Sequence, residues 1–243
     1  MALAAVLTMP AARQTDRALA SAILVAGAVL LLTLIPARQS QELFPPLELG
    51  LLAALAVTLA PLMLVVASLA AGGDRILVPA RLETASLWGA CGLALLAALA
   101  AVAATAESLN LENIVLAQGN TALYVLKQPA AASVYVAAIA VATQPPLLSV
   151  VLGEPARGRF IVELVFLAAL SALGATLFLG GFAGGTLPGP VWVVVKTAVV
   201  LALTLAMRRK LAGLGFGGRL AIAWVAAMVA LANLALTLVL RPH

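Results

Sequence analysis

The sequence predicts an all-α integral membrane protein, a bundle of about seven transmembrane helices, and three observations carry the prediction. Apolar residues make up 64% of the 243 residues and charged residues only 9%, whereas a soluble domain carries roughly a quarter charged residues because its surface faces water. The apolar residues fall in blocks long enough to cross a bilayer, for which about 20 residues per helix suffice. The basic residues concentrate in alternate short connections between those blocks. The whole chain, 1–243, reads as a single transmembrane domain with residues 1–16 as a short interfacial tail. In that tail Arg13 follows the apolar run, the reverse of the order in a signal peptide.

Taken in order, the apolar runs are Ala18–Ala37, Leu49–Ala71, Ala85–Ala106, Ala130–Leu152, Ile161–Phe182, Pro190–Met207 and Leu220–Leu240. Gln144, Pro145 and Pro146 interrupt the fourth; consecutive prolines remove donors and disfavour helix in the residue before them. This run reads as a helix to about Thr143, broken at Pro145-Pro146 and followed by a buried irregular segment. Such backbone is tolerated at membrane depth only against protein or a wet cavity. Between the third and fourth runs, Ser108 with Glu112 and apolar residues at helical spacing predicts a short capped helix lying on the surface. The uncharged stretch Gly180–Pro190 is a glycine-rich turn rather than a phosphate loop, because no strand–helix unit surrounds it. No internal repeat or inverted pair of broken helices is visible, which counts against a secondary transporter.

Orientation follows from the charges. Arg13, Arg17, Arg75, Arg81, Arg157, Arg159, Arg208, Arg209, Lys210 and Arg219 fall on one side, and only Arg38, Lys127 and Arg241 on the other. Basic residues in short loops are retained in the cytoplasm, so the N-terminus is expected inside and the C-terminus outside. The net charge of +5 therefore reports topology, not nucleic-acid binding, which needs a contiguous basic patch. One cysteine, Cys91, and one histidine, His243, leave no intrachain disulfide, thiolate cage or histidine-based metal or triad chemistry. No catalytic residue, cofactor or metal site is expected in the chain itself.

Three stretches, in this order, carry a resemblance. The first is Ser108-Leu109-Asn110-Leu111 with Ile114-Val115 and Ala117-Gln118. The second is Leu177-Phe178-Leu179-Gly180-Gly181, then Pro188-Gly189-Pro190-Val191-Trp192 and Lys196. The third is Arg208 followed by Leu211, Leu214, Phe216 and Trp224. On these residues the chain resembles the H-type membrane subunit of respiratory complex I (NADH:quinone oxidoreductase subunit 1) and the related anchor subunits of energy-converting hydrogenases and formate hydrogenlyase. Leu34-Ile35-Pro36 and Arg81 also sit where that family has similar residues.

The departures are specific. The family has about eight spans, and this chain is expected to start at their second. The family's long acidic cytoplasmic loop corresponds here to Thr143–Phe160, which contains only Glu154. Its tyrosine–glutamate pair in the third span corresponds to Gly89 and Ala90. Its basic, aromatic and acidic run before the last helix corresponds to Gly213–Gly218. A hydrogenase-like or otherwise diverged member is expected, rather than one that reduces quinone.

The resemblance implies a non-catalytic membrane anchor and coupling subunit of a redox-driven ion-translocating complex in the bacterial inner membrane. It would dock a soluble redox arm to antiporter-like membrane subunits. Fe–S clusters, with Ni–Fe or flavin as further groups, would sit in the partner subunits. Glu163, which matches a family acidic position, is the first ion-path candidate, because a carboxylate within a span usually faces the bundle interior; the plainer reading is an ion pair with Arg159. Lys196 matches a family lysine and is the second, against a role as an interfacial anchor whose stem snorkels outward. Glu154 is the third. Arg75, Arg81, Arg157, Arg159, Arg208 and Arg209 are candidates for docking the soluble arm, against topology alone. Trp88, Trp192 and Trp224 are expected at span ends, where indoles favour the interface. The rival functions are a structural scaffold without an ion path and a stand-alone small transporter.

Overall fold

The computed structural model describes residues 11–36, 50–70, 78–120, 122–144, 157–184 and 187–240. Those residues form helices α1 (Ala11–Leu34), α2 (Gly50–Ala70), α3 (Val78–Ala106), α4 (Leu111–Asn120), α5 (Tyr124–Lys127), α6 (Pro129–Ala142), α7 (Arg157–Leu179), α8 (Gly189–Leu211) and α9 (Phe216–Val239), with no strand among the described residues. Among the described residues four helical stretches are long and apolar enough to cross a bilayer: Leu82–Ala106, Phe160–Leu179, Gly189–Leu211 and Phe216–Val239. Leu19–Leu34, Gly50–Leu64 and Pro129–Ala142 are shorter apolar helices. Together they correspond one to one with the seven expected runs, and the all-α membrane fold is borne out.

The boundaries differ in instructive ways. α1 begins at Ala11 rather than Ala18, and α3 begins at Val78 rather than Ala85. A helix continues through polar residues at its membrane-exit end, because an unfinished backbone would otherwise need other partners. α6 stops at Ala142, with the N–H of Thr143 donating to the Ile139 carbonyl at 2.9 Å. That stop lies where the prolines predict it; Pro145 and Pro146 themselves are outside the described residues.

Small side chains organise the centre. Ala90, Ala94, Ala97, Ala98 and Ala101 of α3 and Ala223, Ala226, Ala227 and Ala230 of α9 are all buried, and α3 packs on α9, α6 and α2. Lipid tails are as apolar as leucine, so helices associate through close packing, and small residues let backbones approach. Between α6 and α7 a large residue meets a glycine. The Tyr135 ring lies where a Cβ on Gly174 would come within 2.5 Å of it, its hydroxyl donates to the Leu170 carbonyl at 2.8 Å, and its ring meets Phe178 at 5.4 Å. α1 bridges α2 and α7. α8 packs on α7 and α6, and α9 on α3 and α6, yet α8 and α9 do not pack along one another among the described residues. Their outer faces, with Val194, Leu203, Val225 and Met228 exposed, are apolar surface suited to lipid.

Two expectations are corrected. Trp88 does not face outward as an interfacial indole would: it is fully buried, on a helix packed against α9, α6 and α2. The short helix after the third run is capped by Asn110 rather than Ser108. The Asn110 Oδ1 accepts from the N–H groups of Glu112 at 2.8 Å and Asn113 at 3.4 Å, while the Ser108 hydroxyl accepts from the Asn110 N–H at 3.1 Å. Nor does this helix merely lie on the surface, since Leu111, Ile114, Val115 and Gln118 are buried against the bundle.

Candidate functional site

A charged cluster closes one end of the bundle. α7 presents Glu163 on its second turn, and α8 presents Arg208 on its last. The Arg208 guanidinium donates to Glu163 Oε1, forming an ion pair whose side chains are only 13% and 11% exposed. Two charges so far from water are tolerated only when paired, and a guanidinium is the better cation for this because it holds a carboxylate through a planar fork. Its place at a helix C-terminus adds a favourable dipole interaction. A third span joins from α6: Gln144 Nε2 donates to the Arg208 backbone carbonyl and to the Ala140 carbonyl, both at 3.2 Å. The last carbonyls of a helix lack intrahelical donors, so Gln144 supplies from a neighbouring segment what α8 cannot supply itself.

Amides and glycines close the opposite end. Gln118 on α4 donates through Nε2 to the carbonyls of Thr176 and Leu177 at 3.1 Å each, and its Oε1 accepts from the Tyr124 N–H at 3.1 Å. The chain then turns at Gly180 and Gly181, with φ of +71° and +39°, a region that favours glycine. Gln128 Nε2 donates to the Ala101 carbonyl at 3.1 Å and to the Thr105 hydroxyl. Burial of Tyr124 pushes its phenol above the ordinary tyrosine range.

The structure separates the expected site residues. Lys196 lies at the amide end: its ammonium donates to the Ala183 carbonyl and sits 5.4 Å from the centre of the Trp192 ring. Twelve residues of α8 part it from Arg208, about 18 Å at 1.5 Å per residue, so Lys196 and Glu163 are not brought together. Arg208 is engaged inside, whereas Arg209 is exposed. Arg81 lies on α3, and Arg157 and Arg159 on α7; their side chains, and all of Arg75 and Glu154, lie outside the described residues. In the structure Glu163 pairs with Arg208, forty-five residues away; the pairing with Arg159 that local spacing suggests lies outside the described residues, as the Arg159 side chain does. No sequence signal joins residues so far apart. Gln144, read only as an interruption of the fourth run, is the member of the cluster that sequence reasoning missed; a polar amide beside a helix stop was its one trace. Among the described residues no three His, Cys, Asp or Glu side chains come together.

The fold and this site define a polytopic α-helical membrane protein with a mostly buried ion pair at one end of the bundle. Comparison with known proteins makes the kind more particular. Over 146 residues the chain is 32% identical to an H-type subunit of NADH-quinone oxidoreductase, numbered 1, from Rhodopseudomonas palustris strain BisA53, covering 54% of this chain and 46% of the relative. Over 79 residues it is 42% identical to the H-type subunit numbered 2 from another strain of that species, covering 32% of this chain and 25% of the relative. The H-type subunit numbered 2 from a strain of Cereibacter sphaeroides is 31% identical over 147 residues, covering 54% and 46%. The resemblance to the H-type subunit is borne out by these similarities. The chain spans about half the length of the curated relatives it matches. No family model matches.

Proposed function

We propose that this chain is a membrane anchor and coupling subunit of a redox-driven, ion-translocating complex of the complex I type in the bacterial cytoplasmic membrane. The observation that carries the proposal is the mostly buried Glu163–Arg208 pair joining α7 to α8, set in a chain similar to the H-type subunit of NADH-quinone oxidoreductase. Ionisable groups within spans are costly and usually mark an ion path or a structural pair. On this reading Glu163 takes up and releases a proton as Arg208 exchanges partners, with Glu154 and Lys196 as further members of the path. The N-terminus faces the cytoplasm. Arg75, Arg81, Arg157, Arg159 and Arg209 are the candidates for receiving a soluble redox arm, whose Fe–S clusters, and Ni–Fe or flavin groups, carry the electrons. Antiporter-like subunits flank the bundle in the membrane.

A second reading, a scaffold without an ion path, is favoured by the pairing itself, since a carboxylate held permanently by a guanidinium moves no proton. Glu163→Gln separates the two in inverted vesicles containing the assembled complex. The coupling reading expects electron transfer to persist while redox-driven acidification is lost. Acidification at the wild-type level would leave the scaffold.

A further inference from the structure

The Glu163–Arg208 pair has a third participant that touches neither charged group. Gln144 reaches Arg208 only at its backbone carbonyl, at 3.2 Å, while its other hydrogen bond, to the Ala140 carbonyl, anchors the amide to the end of its own helix. Gln144 and Thr143 are both almost wholly buried, and the Thr143 hydroxyl is occupied by the Ile139 carbonyl at 2.7 Å. The Thr204 hydroxyl, one turn before Arg208, is likewise occupied within its own helix by the Val200 carbonyl at 2.8 Å. Of these three polar side chains, then, only Gln144 ties α8 to α6.

The end of α8 needs such a tie. Beyond Arg208 the helix closes with an i to i+3 bond, from the Ala212 N–H to the Arg209 carbonyl at 3.4 Å, and Gly213 follows with open space around it. Terminal helical turns fray unless their carbonyls are satisfied. Without the amide of Gln144, the backbone from which the guanidinium reaches Glu163 would be the loose end of a helix. We propose that Gln144 is a positioning residue: by holding the Arg208 backbone it fixes the guanidinium on Glu163 and so sets how available that carboxylate is. The inference deepens the coupling reading, on which its functional weight rests.

The test is the rate at which dicyclohexylcarbodiimide, a membrane-soluble reagent for protonated carboxyl groups, labels Glu163 in native membranes holding the full chain and its partners, read by mass spectrometry. Gln144→Met keeps the side-chain length and removes the donor. It is expected to raise labelling about threefold, the effect of one lost hydrogen bond. Gln144→Asn, one methylene shorter, should do the same and covers the case in which the first variant does not accumulate. Arg208→Lys keeps the backbone carbonyl but replaces the fork with a shorter point charge; it should raise labelling further, and adding Gln144→Met to it should change nothing more. Wild-type labelling in both Gln144 variants would overturn the proposal. So would an equal rise with Arg208→Lys present, which would mean that Gln144 merely tightens the bundle. If labelling behaves as expected while Glu163→Gln leaves acidification intact, the positioning role stands and the coupling reading falls.

Discussion

At one end of the bundle Gln118 and Asn110 hold the connection between α3 and α6 with neutral amides bonded to backbone groups; at the other, Glu163 and Arg208 join α7 to α8 through charge. Both ends meet the same demand, that polar groups leaving water find partners, and they differ in what can undo them. An amide keeps its donors and acceptors across the ordinary pH range, so the Gln118 end is a fixed seal. A carboxylate changes its bonding when it gains a proton, so the Glu163 end can be altered by chemistry.

The largest test of that contrast removes one charge. Arg208→Ala strands Glu163 and should cost about 3 kcal/mol or more, the range for breaking a buried pair, read as lost accumulation in the membrane or a lowered melting temperature in detergent. The double change Arg208→Gln with Glu163→Gln should restore most of the loss, because no unpaired charge remains. Equal tolerance of the single and double variants would show that water already reaches the pair.

Next comes the fixed seal. Gln118→Leu leaves the Tyr124 N–H and the α7 carbonyls without their amide partner and should cost about 1–3 kcal/mol. Hydrogen exchange should rise in residues 111–127 and stay unchanged at Gln144; a rise at both ends would mean that the ends are not independent. A smaller effect, about 1 kcal/mol, is expected for Gly180→Ala, where φ is +71° and a Cβ would stand 3.2 Å from Leu123, since only glycine adopts that conformation freely. Gly89→Ala, in a helix with nothing within 4 Å of the new Cβ, should be neutral or slightly stabilising in the same melt.

The smallest effect separates the ends by pH. Burial raises the Tyr124 phenol above its ordinary value, so above about pH 10, where an unfolded tyrosine loses its proton, the folded chain still holds one. Stability at the amide end should therefore fall as pH rises through that region. Tyr124→Phe should flatten the fall in alkaline melting curves; an unchanged slope would assign it to other groups.

Much of the fold was legible because bilayer thickness imposes one length on every apolar run, and the prolines after Gln144 announced where α6 stops. Helix ends were misplaced where polar residues continue a helix beyond the apolar run, as at Val78, and Trp88 is hidden because its helix is packed by α9, α6 and α2. Glu163 was visible as a lone carboxylate in an apolar run. Its pairing with Arg208 was not, because Arg208 is close in space only through the packing of α7 on α8, which no local spacing encodes. Lys196 read equally well as a path residue and as an anchor, and its bond to the Ala183 carbonyl was not legible from local spacing.

The splayed pair α8 and α9 bears on how the molecule is built. Adjacent spans that interlock can enter the bilayer as a preassembled hairpin, but these two find their neighbours in α3, α6 and α7 rather than in each other. The docking surface of α9 is built by α3 and α6, and that of α8 by α6 and α7. A chain halted after α8 would therefore hold α3 and α6 without the cover of α9.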